Sequence, residues 1–214
     1  MGKQKKRKPS HKRRTGLMDR SDIPYAQRLK LQQESDINIS REQAAKVTLY
    51  CLSVAMYEIK KVGYTRLVRF SHRYMRYERD FYKDPELEMA HAKTRMEQMG
   101  MPISGEFFTE KVEGLTIRKQ EVHDNSLQAI QVALTVGAIA MNDEFGFGQE
   151  VQFRISERVT ELSDRYKKEG IKFLLEKMEK IGFTIINGTV MAFTDEDGNA
   201  VSASRAKKEG FIYG

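Results

Sequence analysis

An internal repeat constrains the fold of this chain more than any other feature of its sequence. When the chain is compared with itself at a shift of 85 residues, 10 of the 35 positions from 43 to 77 are identical without a gap. After a slip of three residues, the match resumes with Met96-Glu97 on Met178-Glu179. Self-similarity at a fixed spacing predicts that one supersecondary unit occurs twice, at residues 40–101 and 125–183.

The first helix of each unit is predicted to be buried. A short helical pattern opens at Pro24, a break follows at 36–40, and the long helix then begins at Ser40, with Asn125 in the same role in the second unit. Both side chains can cap the free N–H groups of an opening turn. The helices that follow are apolar on nearly all sides, which indicates burial, and Gly137 would allow a neighbouring helix to approach closely.

The second helix of each unit is indicated by a stripe of apolar residues, and the third by residues typical of helix ends. The second helix, over 65–82 and 150–166, has apolar residues at steps of three and four, which predicts one buried face. The third begins at Asp84-Pro85, an N-cap followed by proline at the first helical position, and ends at Gly100, as its counterpart ends at Gly182. After it, Asn187-Gly188 between β-rich flanks predicts a hairpin.

The predicted fold class is therefore mainly α: two tandem related three-helix units that pack through their buried first helices. A disordered basic N-terminal arm and a small C-terminal β-hairpin complete it. The predicted parts are a disordered basic arm (1–23), helical unit 1 (24–101), an irregular or hairpin connector (102–124), helical unit 2 (125–183), and a β-hairpin with a basic tail (184–214).

The positive charge of the chain is concentrated at its N-terminus. Of the formal net charge of +7, residues 1–20 carry +8, because they hold nine Lys or Arg and one Asp, and the rest carries −1. These residues include almost no apolar side chains, so they cannot repay the entropy of ordering. Such an arm neutralises phosphates without reading sequence, although it can also serve localisation or only solubility. Its candidate phosphate contacts are Lys5, Lys6, Arg7, Lys8, Lys12, Arg13 and Arg14.

A second basic feature, which we call the Arg band, lies on the second helix of the first unit. Each of its members directly precedes one residue of the apolar stripe. The members are Arg66, Arg69, Arg73 and Arg76. In the second unit its two outer members are replaced by Val151 and Glu161. Arginines at this spacing can track phosphates through bidentate contacts. The alternative is a solvated face whose acids come from a neighbouring helix, with Glu86, Glu88 and Glu110 as candidates.

No catalytic or metal-binding constellation is visible in the sequence. The four histidines form no metal-spaced pair, and Cys51 lies in an apolar run, which favours a small buried side chain over a nucleophile. Glu58 and Asp143 occupy corresponding positions, where they are either paired acids or members of ion pairs. The candidate cations for such pairs are Arg69 and Arg154. We therefore predict a protein that is not an enzyme and holds no cofactor or metal.

The expected location is the cytoplasm of a bacterial cell, with no contact to a membrane. The longest nearly continuous apolar run, from Leu134 to Met141, is much too short to cross a bilayer. No apolar stretch follows the basic start, so the sequence has no visible signal peptide. A single cysteine is in keeping with a reducing compartment.

The segment Phe145-Gly146-Phe147-Gly148 lacks the preceding strand and the third glycine of a phosphate loop, which favours a helix–helix turn with buried Phe side chains. The longer stretch from Ala140 to Gly148, followed by Arg154, resembles a motif in uncharacterised small helical proteins of bacteriophages and prophages of Gram-positive bacteria. Those proteins often pair a basic arm with one such Gly-Phe-Gly helical hairpin. The resemblance covers roughly 40 residues of each unit and is weaker in the first, where Lys61-Val62-Gly63 takes the place of the aromatic-glycine pattern. It implies a phage or mobile-element origin and no particular activity.

Together these features predict a non-enzymatic accessory or regulatory protein of phage type. It would contact nucleic acid, without sequence specificity, through its basic arm and the Arg band. The alternative is a protein-interaction module, such as a host-directed inhibitor or an assembly factor. In that case the Met-rich units would bind a protein partner and the arm would be incidental.

Overall fold

The computed structural model describes residues 25–103, 109–194, 200–201 and 203–208, which are mainly α-helical. The helices are α1 (Tyr25–Lys60), α2 (Tyr64–Lys83), α3 (Pro85–Gln98), α4 (Ile117–Phe145), α5 (Gln149–Glu169), α6 (Ile171–Ile181) and α7 (Ala203–Lys208). The strands are β1 (Thr184–Ile186), β2 (Thr189–Met191), β3 (Phe193–Thr194) and β4 (Ala200–Val201). None of the described helices combines the length and apolar content that crossing a membrane requires. The predicted basic arm lies outside the described residues.

The two long helices α1 and α4 lie side by side at the centre and run in the same direction. Ser40 meets Ser126, with 2.5 Å between their Oγ atoms, and further along both helices Leu52 meets Gly137. A Cβ atom on Gly137 would lie 2.7 Å from Cδ1 of Leu52, so glycine is what permits this close approach, as predicted. Every side chain from Cys51 to Met56 is buried, which confirms that the first helices form the core.

The outer helices are exchanged between the two halves of the chain. Helices α2 and α3 pack against α4, whereas α5 and α6 pack against α1. Side chains from both halves therefore form one continuous hydrophobic cluster, whose largest fully buried members include Phe70, Leu67 and Tyr74 from α2 and Ile155 and Leu162 from α5. Each half thus covers mainly the long helix of the other half.

The predicted starts of the first helices are wrong. Helix α1 continues through 36–40 without a break, and α4 begins at Ile117, so the end of the predicted connector is helical. Residues of the predicted break are used between helices instead: Asp36 pairs with Arg118, and the cap candidate Ser40 with Ser126. Because α1 packs on α4, these polar side chains find hydrogen-bond and ion-pair partners on the neighbouring helix. Their local preference for helix starts gave no indication of these partners.

Other local predictions are confirmed. Asp84 caps α3, with Oδ1 accepting from the backbone N–H of Leu87 at 3.2 Å, and Pro85 is the first helical residue. Strands β1 and β2 pair antiparallel around Asn187 and Gly188, which both have positive φ angles of 50° and 74°. That is the twisted two-residue turn such a dipeptide favours. Strand β4 pairs with β3, and residues 195–199 between them lie outside the described residues.

Two partly buried carboxylates, one on each central helix, attach the outer helices to the central pair. On α4, Asp143 accepts from the Tyr77 hydroxyl at 2.6 Å and pairs with Arg95 of α3. On α1, Glu58 pairs with Arg158 of α5 at 2.7 Å and with Lys177 of α6. Both carboxylates are thus in ion pairs, as one interpretation held, but their partners are not Arg69 or Arg154. The exchange of outer helices brings different cations to them.

Candidate nucleic-acid interface

Helix α2 carries the largest net positive charge of the described helices. It begins after Gly63 and buries one face, formed by Leu67, Phe70, Tyr74 and Phe81, against α4. Its other positions include six basic and two acidic residues, a net charge of +4, whereas the corresponding helix α5 has five of each and no net charge. Since α2 packs by a single stripe, most of this charge faces solvent.

The first three arginines of the Arg band are held by the end of α4. Nε of Arg69 lies 3.0 Å and a terminal guanidinium nitrogen of Arg73 3.3 Å from the carboxylate oxygens of Glu144. The guanidinium of Arg66 lies 4.8 Å from the ring centroid of Phe145, a cation–π distance. One carboxylate therefore orients two arginines and neutralises only one positive charge.

The acids that the sequence suggested for this band are not the ones that reach it. Glu88 lies near His91 on its own helix, at 3.6 Å, and Glu110 near His123, at 3.8 Å. The neighbouring helix that supplies the acid is α4, through Glu144. Sequence reasoning missed it because Glu144 lies 71 residues beyond Arg73 along the chain.

The outer end of the Arg band is open to solvent. Arg76 is exposed, and within the described part of the chain it forms no ion pair. His72 lies one turn before Arg76 and Arg79 one turn after it, and both are exposed. They lie on the side of α2 that faces α1. The arm residues that were predicted to share in phosphate contact lie outside the described residues, namely Lys5, Lys6, Arg7, Lys8, Lys12, Arg13 and Arg14.

Because α2 packs on α4 and not on α1, a cleft of about 870 Å³ remains between α1 and α2. Strand β2 lines it on one side. Its apolar floor includes Leu49, Tyr50 and Val190, with the exposed side chains of Met75 and Tyr82 on the wall. Its basic rim is formed by Arg41, Lys46, His72 and Arg79. We call this feature the α1–α2 cleft.

Two carboxyl groups line the α1–α2 cleft: that of Glu42, which is exposed, and that of Glu78, which is half-buried. The Tyr74 hydroxyl donates to Oε1 of Glu78 at 3.4 Å, and burial raises the pKa of Glu78 above its ordinary value. Across the cleft, the guanidinium of Arg41 lies 4.6 Å from the ring centroid of Tyr82. A half-buried carboxyl in a cleft is a recurrent mark of a binding site.

The positions 85 residues later do not repeat this chemistry. The four rim cations are replaced by Ser126, Gln131, Glu157 and Asp164, in chain order. Tyr74, Met75, Glu78 and Tyr82 are replaced by Val159, Thr160, Ser163 and Lys167. The basic and aromatic side chains at these positions are therefore not repeated in the second half of the chain, and this comparison of the repeats was the sequence signal that could have found them.

The remaining candidate groups have structural roles. Cys51 is fully buried, and burial raises the pKa of its thiol to about 11. Gly146 ends α4 with φ of 66°, and the rings of Phe145 and Phe147 pack 5.0 Å apart against the core, so this segment is the predicted helix–helix turn. Among the described residues, no three His, Cys, Asp or Glu side chains come together as a metal site.

Comparisons with protein-family models, with curated proteins and with solved structures gave no match.

Proposed function

We propose that this protein is a non-enzymatic accessory protein of phage type that binds nucleic acid without sequence specificity in the bacterial cytoplasm. The observation that carries the proposal is the asymmetry of charge between corresponding helices. Helix α2 has a net charge of +4 and an exposed Arg band, whereas α5 is neutral. Packing against the long helices explains the apolar stripe of both helices, but it does not explain a net positive charge on only one of them.

The geometry of the Arg band suits a phosphate backbone. From Arg66 to Arg76 the helix rises about 15 Å, and the four guanidinium groups lie on one side of it. Glu144 lies between Arg69 and Arg73, and its single negative charge leaves the two guanidinium groups with a net positive charge for phosphate. Contacts of this kind position a protein on nucleic acid and carry no sequence information.

The proposal is tested by removing charge from α2 and, separately, from the second half of the chain. The test variant carries Arg66→Gln, Arg69→Gln and Arg76→Gln. The control variant carries Arg154→Gln, Lys168→Gln and Lys180→Gln, which remove the same charge from exposed positions of α5 and α6. Affinity for DNA and RNA is measured by fluorescence anisotropy over a series of salt concentrations.

We expect the test variant to lose roughly 100-fold in affinity at about 50 mM salt and to lower the slope of log K against log salt by about two. The control variant should behave as the unmodified protein. A chain shortened by residues 1–20 should bind more weakly but keep its dependence on the Arg band. If no variant binds at about 50 mM salt, where phosphate contacts are strongest, the proposal fails. If test and control behave alike, the Arg band is only a solvated face.

We also propose that the two helical units arose by duplication. Corresponding contacts support this: Arg95 with Asp143 and Lys177 with Glu58 occupy matching positions of the repeat. So do the pairs of Asp36 with Arg118 and of Gln33 with Glu121. Gly63 and Gly148 precede α2 and α5 with nearly the same backbone angles, φ −75°, ψ 171° and φ −79°, ψ 178°.

A further inference from the structure

We infer that the α1–α2 cleft binds an unstacked nucleobase, so that the protein prefers single-stranded nucleic acid to a duplex. The inference rests on the proposed function and adds the form of nucleic acid that is recognised. It rests on the floor of the cleft, its rim, the half-buried carboxyl of Glu78 and the continuity of the cleft with the Arg band.

The floor and wall of the cleft suit a flat ring. The volume of about 870 Å³ lies within the range of small-molecule sites and exceeds what one base needs. Tyr82 and Met75 are exposed on its wall, and Tyr50 and Leu49 form its floor. Aromatic side chains serve as stacking platforms for successive bases in proteins that bind single strands without sequence preference. A base in a duplex is already stacked and cannot enter.

The rim of the cleft supplies cations where the backbone of such a strand would pass. Arg41 and Lys46 lie on the α1 side and His72 and Arg79 on the α2 side. His72 and Arg79 also adjoin the exposed surface of α2, on which Arg76 lies. A strand whose phosphates follow the Arg band therefore reaches the rim without crossing an uncharged surface. Basic grooves that track a backbone beside aromatic side chains are the usual arrangement for single strands.

The carboxyl of Glu78 gives the cleft a polar group that can meet the edge of a base. It is half-buried and its only described hydrogen bond is the long one, 3.4 Å, from Tyr74. Exocyclic amino groups of bases, and the ring N–H of thymine and uracil, can donate to the carboxylates of Asp and Glu. Since a half-buried polar group gains from a second partner, Glu78 favours an occupant with hydrogen-bond donors over a purely apolar one.

The charge of the rim also distinguishes a nucleic acid from an apolar ligand. A purely apolar occupant would leave Arg41, Lys46 and Arg79 without a role, and these are the positions that become Ser126, Gln131 and Asp164 in the second half. An acidic amphipathic peptide is the other occupant that a Met-containing groove with a basic rim could accept. The test therefore includes such a peptide as a separate arm.

The experiment compares three full-length proteins: the unmodified chain, Tyr82→Leu and Phe153→Leu. Tyr82→Leu keeps an apolar side chain in the cleft and removes the stacking surface. Phe153→Leu is the matched control, because Phe153 is an exposed aromatic residue on α5, outside the cleft. The probes are a labelled oligothymidine on the order of 20 nucleotides, long enough for several such sites, its duplex with oligoadenosine, and an acidic amphipathic helical peptide.

We expect the single strand to bind at least 10-fold more tightly than the duplex at equal salt, because only unpaired bases can stack. Tyr82→Leu should weaken single-strand binding by roughly 5- to 100-fold, the range for loss of one stacked base, and leave duplex binding unchanged. Phe153→Leu should change neither. Photocrosslinking of a 5-iodouracil strand should label peptides that contain Tyr82 or Tyr50.

Two results would overturn the inference and leave the proposed function intact. One is equal affinity for strand and duplex, with Tyr82→Leu and Phe153→Leu indistinguishable. The other is a Tyr82→Leu defect seen with the acidic peptide and not with the oligonucleotide, which would make the cleft a peptide groove. Absence of all nucleic-acid binding at about 50 mM salt would instead overturn the proposed function, and this inference with it.

Discussion

Substituting Glu144 tests the Arg band by a gain of binding, which damage to the fold cannot imitate. Glu144 pairs with both Arg69 and Arg73 and is largely covered, with 11% of its side chain exposed. In Glu144→Gln the charge of this carboxylate is lost while its shape remains. Two guanidinium groups that shared one carboxylate then become available to phosphate, and the local charge rises by one.

The size of the gain follows from counterion release. One additional phosphate contact steepens the slope of log K against log salt by about 0.7–0.9. This corresponds to roughly a 10-fold gain in affinity at about 50 mM salt and roughly 3-fold at about 200 mM. The cost in stability should be about 1 kcal/mol, between the values for exposed and buried ion pairs, because Arg69 and Arg73 are 59% and 37% exposed.

The assay is salt-titrated anisotropy on the same oligonucleotide, with thermal unfolding measured in parallel. Glu58→Gln is the matched control, because Glu58 also holds two cations, Arg158 and Lys177, and its loss raises the charge equally. It lies at the junction of α1, α5 and α6, away from the Arg band. Glu144→Gln with unchanged or weaker binding, in a folded protein, would refute the assignment of Arg69 and Arg73 to phosphate contact.

Two further predictions concern stability and reactivity. Burial by itself would raise the pKa of Glu58, but hydrogen bonds from Arg158 and Lys177 outweigh it and lower the pKa below the ordinary 4.5. The stability that Glu58 contributes is therefore present at neutral pH and is lost as the pH falls below about 4.5. Urea unfolding should show Glu58→Gln less stable than the unmodified chain at pH 7 and the two curves converging in acid, whereas a constant difference would contradict this. The thiol of Cys51, fully buried and with its pKa raised to about 11, should react with iodoacetamide only after unfolding. Rapid labelling of the native protein, seen by mass spectrometry, would show that its surroundings open.

Local signals in the sequence determined the elements that depend on neighbours in the chain. Asp84-Pro85 specified the start of α3, and Asn187-Gly188 the hairpin turn, because a cap and a positive-φ turn are properties of a few consecutive residues. The repeat itself predicted which helices correspond, and the all-round apolar character of 51–56 predicted the buried core. Predicting these features requires no knowledge of which helices pack against each other.

Local signals failed where distant residues compete with them. Ser40 and Asn125 looked like helix starts and Asp36 like the beginning of a break, yet all three lie inside helices. Asp36 and Ser40 find their partners on α4, which their neighbours in sequence cannot reveal. The same limit applied to the Arg band, whose partner Glu144 comes from α4 and not from α3.

The sequence by itself therefore determined the helices, their correspondence and the unequal charge of α2 and α5. Only the tertiary structure decided that the outer helices are exchanged, and this exchange creates the site. Since α2 covers α4, the space between α1 and α2 is left unfilled and becomes the α1–α2 cleft. A side-chain pattern records which face of a helix is apolar, but the choice of which helix it covers depends on packing energies summed over the whole core.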